Sequence, residues 1–166
     1  MVRQFCPTER RDVQMADQSL PRPTDNAFLG TSVHGGSHEA TYAGVTSFMR
    51  RRLTRDLGGV DLAVWGIPFD SAVSNRPGAR FGPQAVRRAS AIFDGDPQYP
   101  FNADPFETLA VVDYGDCALD FGFHTEAPGE IEKQAAAILD RGCHLFSIGG
   151  DHFVTLPLLR AHAARN

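Results

Sequence analysis

The sequence predicts an α/β fold around a mostly parallel sheet. Three observations carry this. Short, nearly continuous apolar runs recur at residues 60–67, 109–112 and 143–148, and strands covered on both faces read this way. Each run is followed by a loop and then by a segment with helical spacing, the alternation that builds parallel sheets. Each run also ends in polar residues: Asp70 and Arg76, Asp113 and Asp116, Asp151 and His152. Ligands bind outside the carboxyl ends of the strands in open α/β sheets. One shared site therefore explains the three clusters better than three unrelated turns do.

Residues 1–27 mix charge, proline and polar side chains with no period of 2 or 3.6, and Pro21-Arg22-Pro23 excludes a helix interior. A flexible N-terminal arm is expected there, suited to packing against a neighbouring subunit, with the folded domain over 28–166. Residues 28–48 are rich in Gly, Ser, Thr and His. His34 and His38 stand four apart, a metal spacing on a helix, but the glycines between them argue for a surface loop. Arg50, Arg51, Arg52 and Arg55 read as a solvated basic face.

Pro68 stops the first strand. The loop that follows, 69–83, contains two turn signals of the Pro-Gly type. Long loops at the C-terminal ends of strands tend to carry function. Pro83 suits a first helical turn and opens a helix through residues 85–89. Residues 94–106 read as loop. The second strand ends in Asp113-Tyr114-Gly115-Asp116. Two acids three apart could share a metal, but a turn with a supporting role is the favoured reading. Residues 130–141 form the clearest helix, with Ile131, Ala135, Ile138 and Leu139 on one face, Pro128 ahead of it and Gly142 closing it. The third strand opens with Cys143 as a core thiol and ends in Gly149-Gly150-Asp151-His152. Glycines there allow a sharp turn. A carboxylate and an imidazole at the mouth of the sheet can bind a metal or move a proton. A tight turn with a polar tip fits the local pattern equally well. A last helix over 156–164 places Leu156, Leu159 and Ala163 on one face.

Composition narrows the function classes. The chain is 42% hydrophobic and 22% charged with a net charge of −4, which gives no reason to expect a nucleic acid or a membrane surface as partner. No apolar run has the length of a bilayer span, and the first seven residues lack a signal-peptide core. Three scattered cysteines, Cys6, Cys117 and Cys143, lack metal spacing and read as reduced thiols of a cytoplasmic protein. Glycine-rich nucleotide fingerprints are absent.

Four ordered motifs suggest a family. Gly66-Ile67-Pro68-Phe69-Asp70, Arg76-Pro77-Gly78-Ala79-Arg80-Phe81-Gly82-Pro83, Asp113-Tyr114-Gly115-Asp116 and Gly149-Gly150-Asp151-His152 resemble, in that order, the ureohydrolases of the arginase and agmatinase family. The Gly149–Arg160 stretch looks most like agmatinase-type members, and so do Tyr42-Ala43-Gly44 and Ser47-Phe48-Met49-Arg50. The resemblance covers about residues 26–166.

It implies a three-layer α/β/α fold, two Mn²⁺ per active site, a trimer or hexamer, and hydrolysis of a guanidino compound to urea and an amine. Agmatine, giving putrescine for polyamine biosynthesis, is the first candidate substrate; 4-guanidinobutyrate and 3-guanidinopropanoate are the alternatives. A pair of metal ions suits this chemistry, because it lowers the pKa of a shared water enough to attack a resonance-stabilised carbon. Residue by residue, the resemblance makes His152 a metal ligand. Asp151, Asp113 and Asp116 become supporting groups, and Asp70, Asn75 and Arg76 the loop at the substrate mouth. The family's later Asp-x-His-x-Asp and Asp-x-Asp motifs do not occur in the 166 residues. The chain is therefore expected to be the N-terminal half of such a protein, holding at most one ligand, with no catalytic residue of its own and no activity alone. The competing expectations are a non-catalytic remnant, a half-subunit completed by another chain, and a metal-free α/β binding module.

Overall fold

A computed structural model describes residues 41–93, 97 and 99–165. The arm expected over 1–27, and His34 and His38, lie outside these residues. Three strands, β1 (Leu62–Ile67), β2 (Val111–Asp116) and β3 (His144–Gly149), form a parallel sheet in the order β2-β1-β3. Helix α1 (Gly82–Ser90) and the single turn α2 (Pro105–Thr108) lie between β1 and β2. Helix α3 (Ala127–Leu139) joins β2 to β3, and α4 (Thr155–Ala163) follows β3.

Alternate side chains of the central strand face opposite layers. Ala63, Trp65 and Ile67 pack with Ile131, Ala135 and Ile138 of α3 and Ala161 of α4. Val64 packs on the other side with Val111, Ile148 and Phe106 of α2. A Cβ at Gly66 would stand 2.8 Å from Pro83 Cβ, which places the start of α1 on that second side. The fold is thus the expected α/β/α arrangement, and all of β1 except Leu62 is buried.

Four expectations need correction. First, β2 does not end at residue 112. It runs through Asp116, because the register skips Tyr114 and Gly115 takes φ +80°; such a bulge lets a strand continue while re-aiming its side chains. Second, α4 turns a different face inward: Pro157 and Ala161 are buried, whereas Leu156, Leu159 and Ala163 are exposed. A 3-10 turn at His152–Val154 precedes the helix and sets its phase. Third, the arginine cluster is a solvated face only in part, with Arg55 exposed. Arg50 and Arg51 are buried, and the Arg51 guanidinium lies 4.0 Å from the centroid of the Phe106 ring, a favourable cation–π geometry. Fourth, α3 begins at Ala127, so Pro128 lies within its first turn instead of ahead of it, where its missing N–H is no loss.

The outer edge of β2 is closed by the preceding segment. Thr54 N–H donates to Asp113 O at 3.0 Å, and Asp113 N–H donates to Arg52 O at 2.9 Å. On β3, the only strand paired among the described residues is β1.

Candidate active site

The carboxyl ends of β1 and β3 are adjacent, because these strands pair in register from Leu62 with His144 to Ile67 with Gly149. The turn after β3 folds onto the loop after β1. Asp151 N–H donates to Phe69 O at 2.8 Å. The Asp151 carboxylate is buried and accepts from Ala72 N–H at 2.8 Å and from Phe153 N–H at 3.0 Å. The second bond is an N-cap, satisfying an orphan donor of the next turn. Gly150 is required here by close approach. A Cβ would collide with Phe69 O and stand 2.7 Å from its C and N. His152, on the turn so held, is exposed.

The loop after β1 is closed on itself by Asp70. This buried carboxylate accepts from Gly78 N–H at 2.7 Å and from Arg80 Nε at 2.7 Å, and it pairs with Arg80 Nη2 at 2.5 Å. The Arg80 hydrogen bond holds the Asp70 carboxyl down to about 2, from its usual 3.8, against the opposing effect of burial. Asp70 lies in the predicted loop, but its charge is turned inward as an anchor. Asn75 and Arg76 are exposed on the closed loop. An acid whose folded pKa is depressed adds stability that is complete above its unfolded pKa and is lost as pH falls through the folded one. Asp70→Asn is therefore expected to lower stability near neutrality and to flatten the loss of stability between pH 3.8 and about 2. Denaturant unfolding across that range measures it; an unchanged acid limb would reject the anchor.

The second cluster is built differently from its sequence reading. Asp113 is a fully buried strand residue and not part of a turn. Arg87 of α1 grips it with two bonds, Nε to Oδ2 at 2.7 Å and Nη2 to Oδ1 at 2.9 Å, and reaches Asp116 Oδ1 with Nη1 at 2.6 Å. Phe48 N–H and Gly115 N–H complete the Asp113 carboxylate at 2.7 and 2.9 Å. Burial acts to lower the Arg87 pKa, but the two carboxylates outweigh it and raise it overall. Asp116 opens into a cavity of about 410 Å³ lined also by Thr46, Leu53, Arg80, Gln84 and Arg87.

The structure thus joins the Asp70 loop to the Asp151 turn directly. The Asp113–Asp116 cluster lies beside them: Asp116 pairs with Gly66 of β1 and shares its cavity with Arg80, and Gly82 and Pro83 of α1 sit against Gly149 and Gly66. Arg80, Arg87 and the Ala72 amide were not singled out from sequence. Arg87 had a legible signal: Pro83, Arg87 and Ser90, spaced by four and three, form the buried stripe of α1, and a charged residue on an inward stripe needs a partner. The Ala72 amide had no signal, since any residue supplies an N–H.

The described residues do not make a metal centre by themselves. Among them, no three His, Cys, Asp or Glu side chains converge in a way that could hold an ion. Asp70, Asp113 and Asp116 are engaged by arginines, and Asp151 by backbone amides. Burial pushes the Cys117 thiol up to about 12 and the Cys143 thiol upward as well, so neither supplies a thiolate near neutrality. No catalytic step can be assigned to a metal held by these residues alone. Among the described residues no helix is long and apolar enough to cross a membrane.

A parallel sheet carrying a Gly-Gly-Asp-His turn and a clamped loop at its carboxyl ends defines an open α/β protein with its candidate site at the strand ends. The chain belongs to the arginase family, whose model matches residues 60–166. It is 51% identical over 141 residues to an agmatinase of Chromobacterium violaceum, an alignment covering 85% of this chain and 44% of that protein. The crystal structure of a hypothetical agmatinase from Burkholderia thailandensis superposes with a TM-score of 0.82 at 49% identity, over 85% of this chain and 44% of the other. A formiminoglutamase of Trypanosoma cruzi solved with Mn²⁺ matches at a TM-score of 0.59 and 26% identity, over 67% of this chain and 37% of that one. The chain therefore spans less than half the length of each of these relatives.

Proposed function

We propose that residues 28–166 are the N-terminal half of a ureohydrolase domain. On this reading the whole protein hydrolyses agmatine to putrescine and urea with two manganese ions, in the cytoplasm, as a trimer or hexamer. The observation that carries it is the turn after β3: an exposed imidazole at the carboxyl end of a parallel strand, held against the loop after β1 by Gly150 and Asp151. The likeness to proteins named agmatinase supports the substrate class.

In this reading His152 supplies one ligand to manganese, and the remaining ligands come from outside the described residues. A bound metal pair would supply an activated water. The tasks of this chain are to hold the imidazole at the rim through Asp151, to keep α1 against the sheet through Arg87, Asp113 and Asp116, and to present Asn75 and Arg76 beside the mouth on a loop closed by Asp70. The amine end of the substrate distinguishes agmatine from 4-guanidinobutyrate and 3-guanidinopropanoate, which carry a carboxylate there.

The test is urea release by the whole gene product from these three compounds, before chelation, after it and after adding manganese back. Release from agmatine that follows the manganese is expected. A manganese-loaded protein that releases urea from none of the three would sink the proposal.

The second reading is a non-catalytic half-subunit. It is favoured by one observation, the missing convergence of ligands among the described residues. Tight stoichiometric binding of two Mn²⁺ by residues 1–166 alone would contradict it.

A further inference from the structure

An N-cap needs one oxygen; Asp151 uses two, and the second goes to a residue 79 positions away. Its Oδ1 accepts from Phe153 N–H at 3.0 Å and fixes the start of the 3-10 turn that begins with His152. Its Oδ2 accepts from Ala72 N–H at 2.8 Å, and its own N–H donates to Phe69 O at 2.8 Å. Gly150 lies against the same Phe69 backbone, and the Phe69 and Phe153 rings stand 6.0 Å apart, centroid to centroid. The first half of the loop after β1 is therefore tied to the His152 turn, while its second half is tied separately, by Asp70 to Gly78 and Arg80.

We infer that Asp151 is a positioning residue that couples the substrate-side loop to the turn carrying His152, so that one buried carboxylate sets Asn75 and Arg76 and the imidazole relative to one another. This rests on the hydrolase reading above and extends it from support of one histidine to registration of two parts of the site. A buried hydrogen-bonded carboxylate is suited to the task, because ionised acceptors make the stronger bonds to backbone amides.

Asp151→Asn separates the roles. It keeps one oxygen for the cap but turns an amide donor toward Ala72 N–H. Asp151→Ser keeps the cap and reaches nothing at Ala72; it serves as the second variant should the first fail to fold. Hydrogen exchange reads the coupling without catalysis. Ala72 exchange is expected to rise about ten-fold or more while Phe153 stays protected. In the whole gene product, KM for agmatine is expected to rise and kcat to fall, each by about ten-fold, the lower end of what losing an outer-layer support does at such sites. Unchanged exchange at Ala72 would overturn the coupling. So would a fall in kcat with KM unmoved, which reduces Asp151 to ordinary support of His152. A wild type that releases no urea would overturn the hydrolase reading and the catalytic role of Asp151 with it; the exchange result alone would then decide the link between loop and turn.

Discussion

Arg87→Ala is expected to destabilise the protein by about 3–5 kcal/mol, the usual consequence of breaking a buried ion pair from one side. For a chain of this size that lowers the thermal midpoint by roughly 6–20 °C. The reason is asymmetric. Asp113 is fully buried, and two of its four hydrogen bonds come from Arg87. Without the guanidinium a carboxylate is left charged or forced neutral in the interior, and Asp116 loses its partner as well. Arg87→Lys should recover only part of the loss, because a point charge cannot fork onto Asp113 and reach Asp116 at once. Arg87→Met combined with Asp113→Asn should be less damaging than Arg87→Ala, since the orphaned charge is then gone. Thermal and urea unfolding followed by circular dichroism measure all three. An Arg87→Ala protein within about 1 kcal/mol of wild type would show that the triad is not what holds α1 to the sheet.

Gly150→Ala is expected to be nearly as severe, at about 3 kcal/mol or more. Overpacking alone costs about 1–3 kcal/mol. Here the added methyl meets the backbone of Phe69, which cannot swing aside as a side chain would. Moving the turn away from the loop also breaks the Asp151 N–H to Phe69 O bond, adding about 1 kcal/mol. Gly129→Ala is the control. Gly129 lies in α3 with nothing within 4 Å of its would-be Cβ, so alanine there should stabilise by about 0.5–1 kcal/mol. Equal effects at the two glycines would mean that the turn after β3 is not packed against Phe69.

The fold was legible because periodicity and punctuation agree. The run 60–67 has no polar residue beyond Asp61, and Ile131, Ala135 and Ile138 mark one helical face; all three are buried. Boundaries failed where tertiary contacts outvoted local signals. Asp113-Tyr114-Gly115-Asp116 has turn composition, yet a bulge and the Arg87 fork keep it in the strand. Leu156 and Leu159 have helical spacing, yet the 3-10 turn imposed by the Asp151 cap rotates them outward. Arg50 and Arg51 look solvated, yet stacking on Phe106 helps bury Arg51. Of the candidate site, the positions of Asp70, Asp151 and His152 at strand ends followed from the pattern. The bonds that join them did not, because they run to backbone amides and carbonyls.

On the proposed function, the site lies at the mouth of the sheet where His152 stands. Manganese titration of the whole gene product, wild type beside His152→Ala, tests it most directly, with unfolding measured on both. His152 is exposed, so its loss should change stability by no more than about 0.5 kcal/mol. Manganese affinity should fall by at least about ten-fold, as removal of one imidazole ligand leaves the rest of the centre incomplete. Unchanged manganese affinity in a folded His152→Ala protein would place the metal site elsewhere.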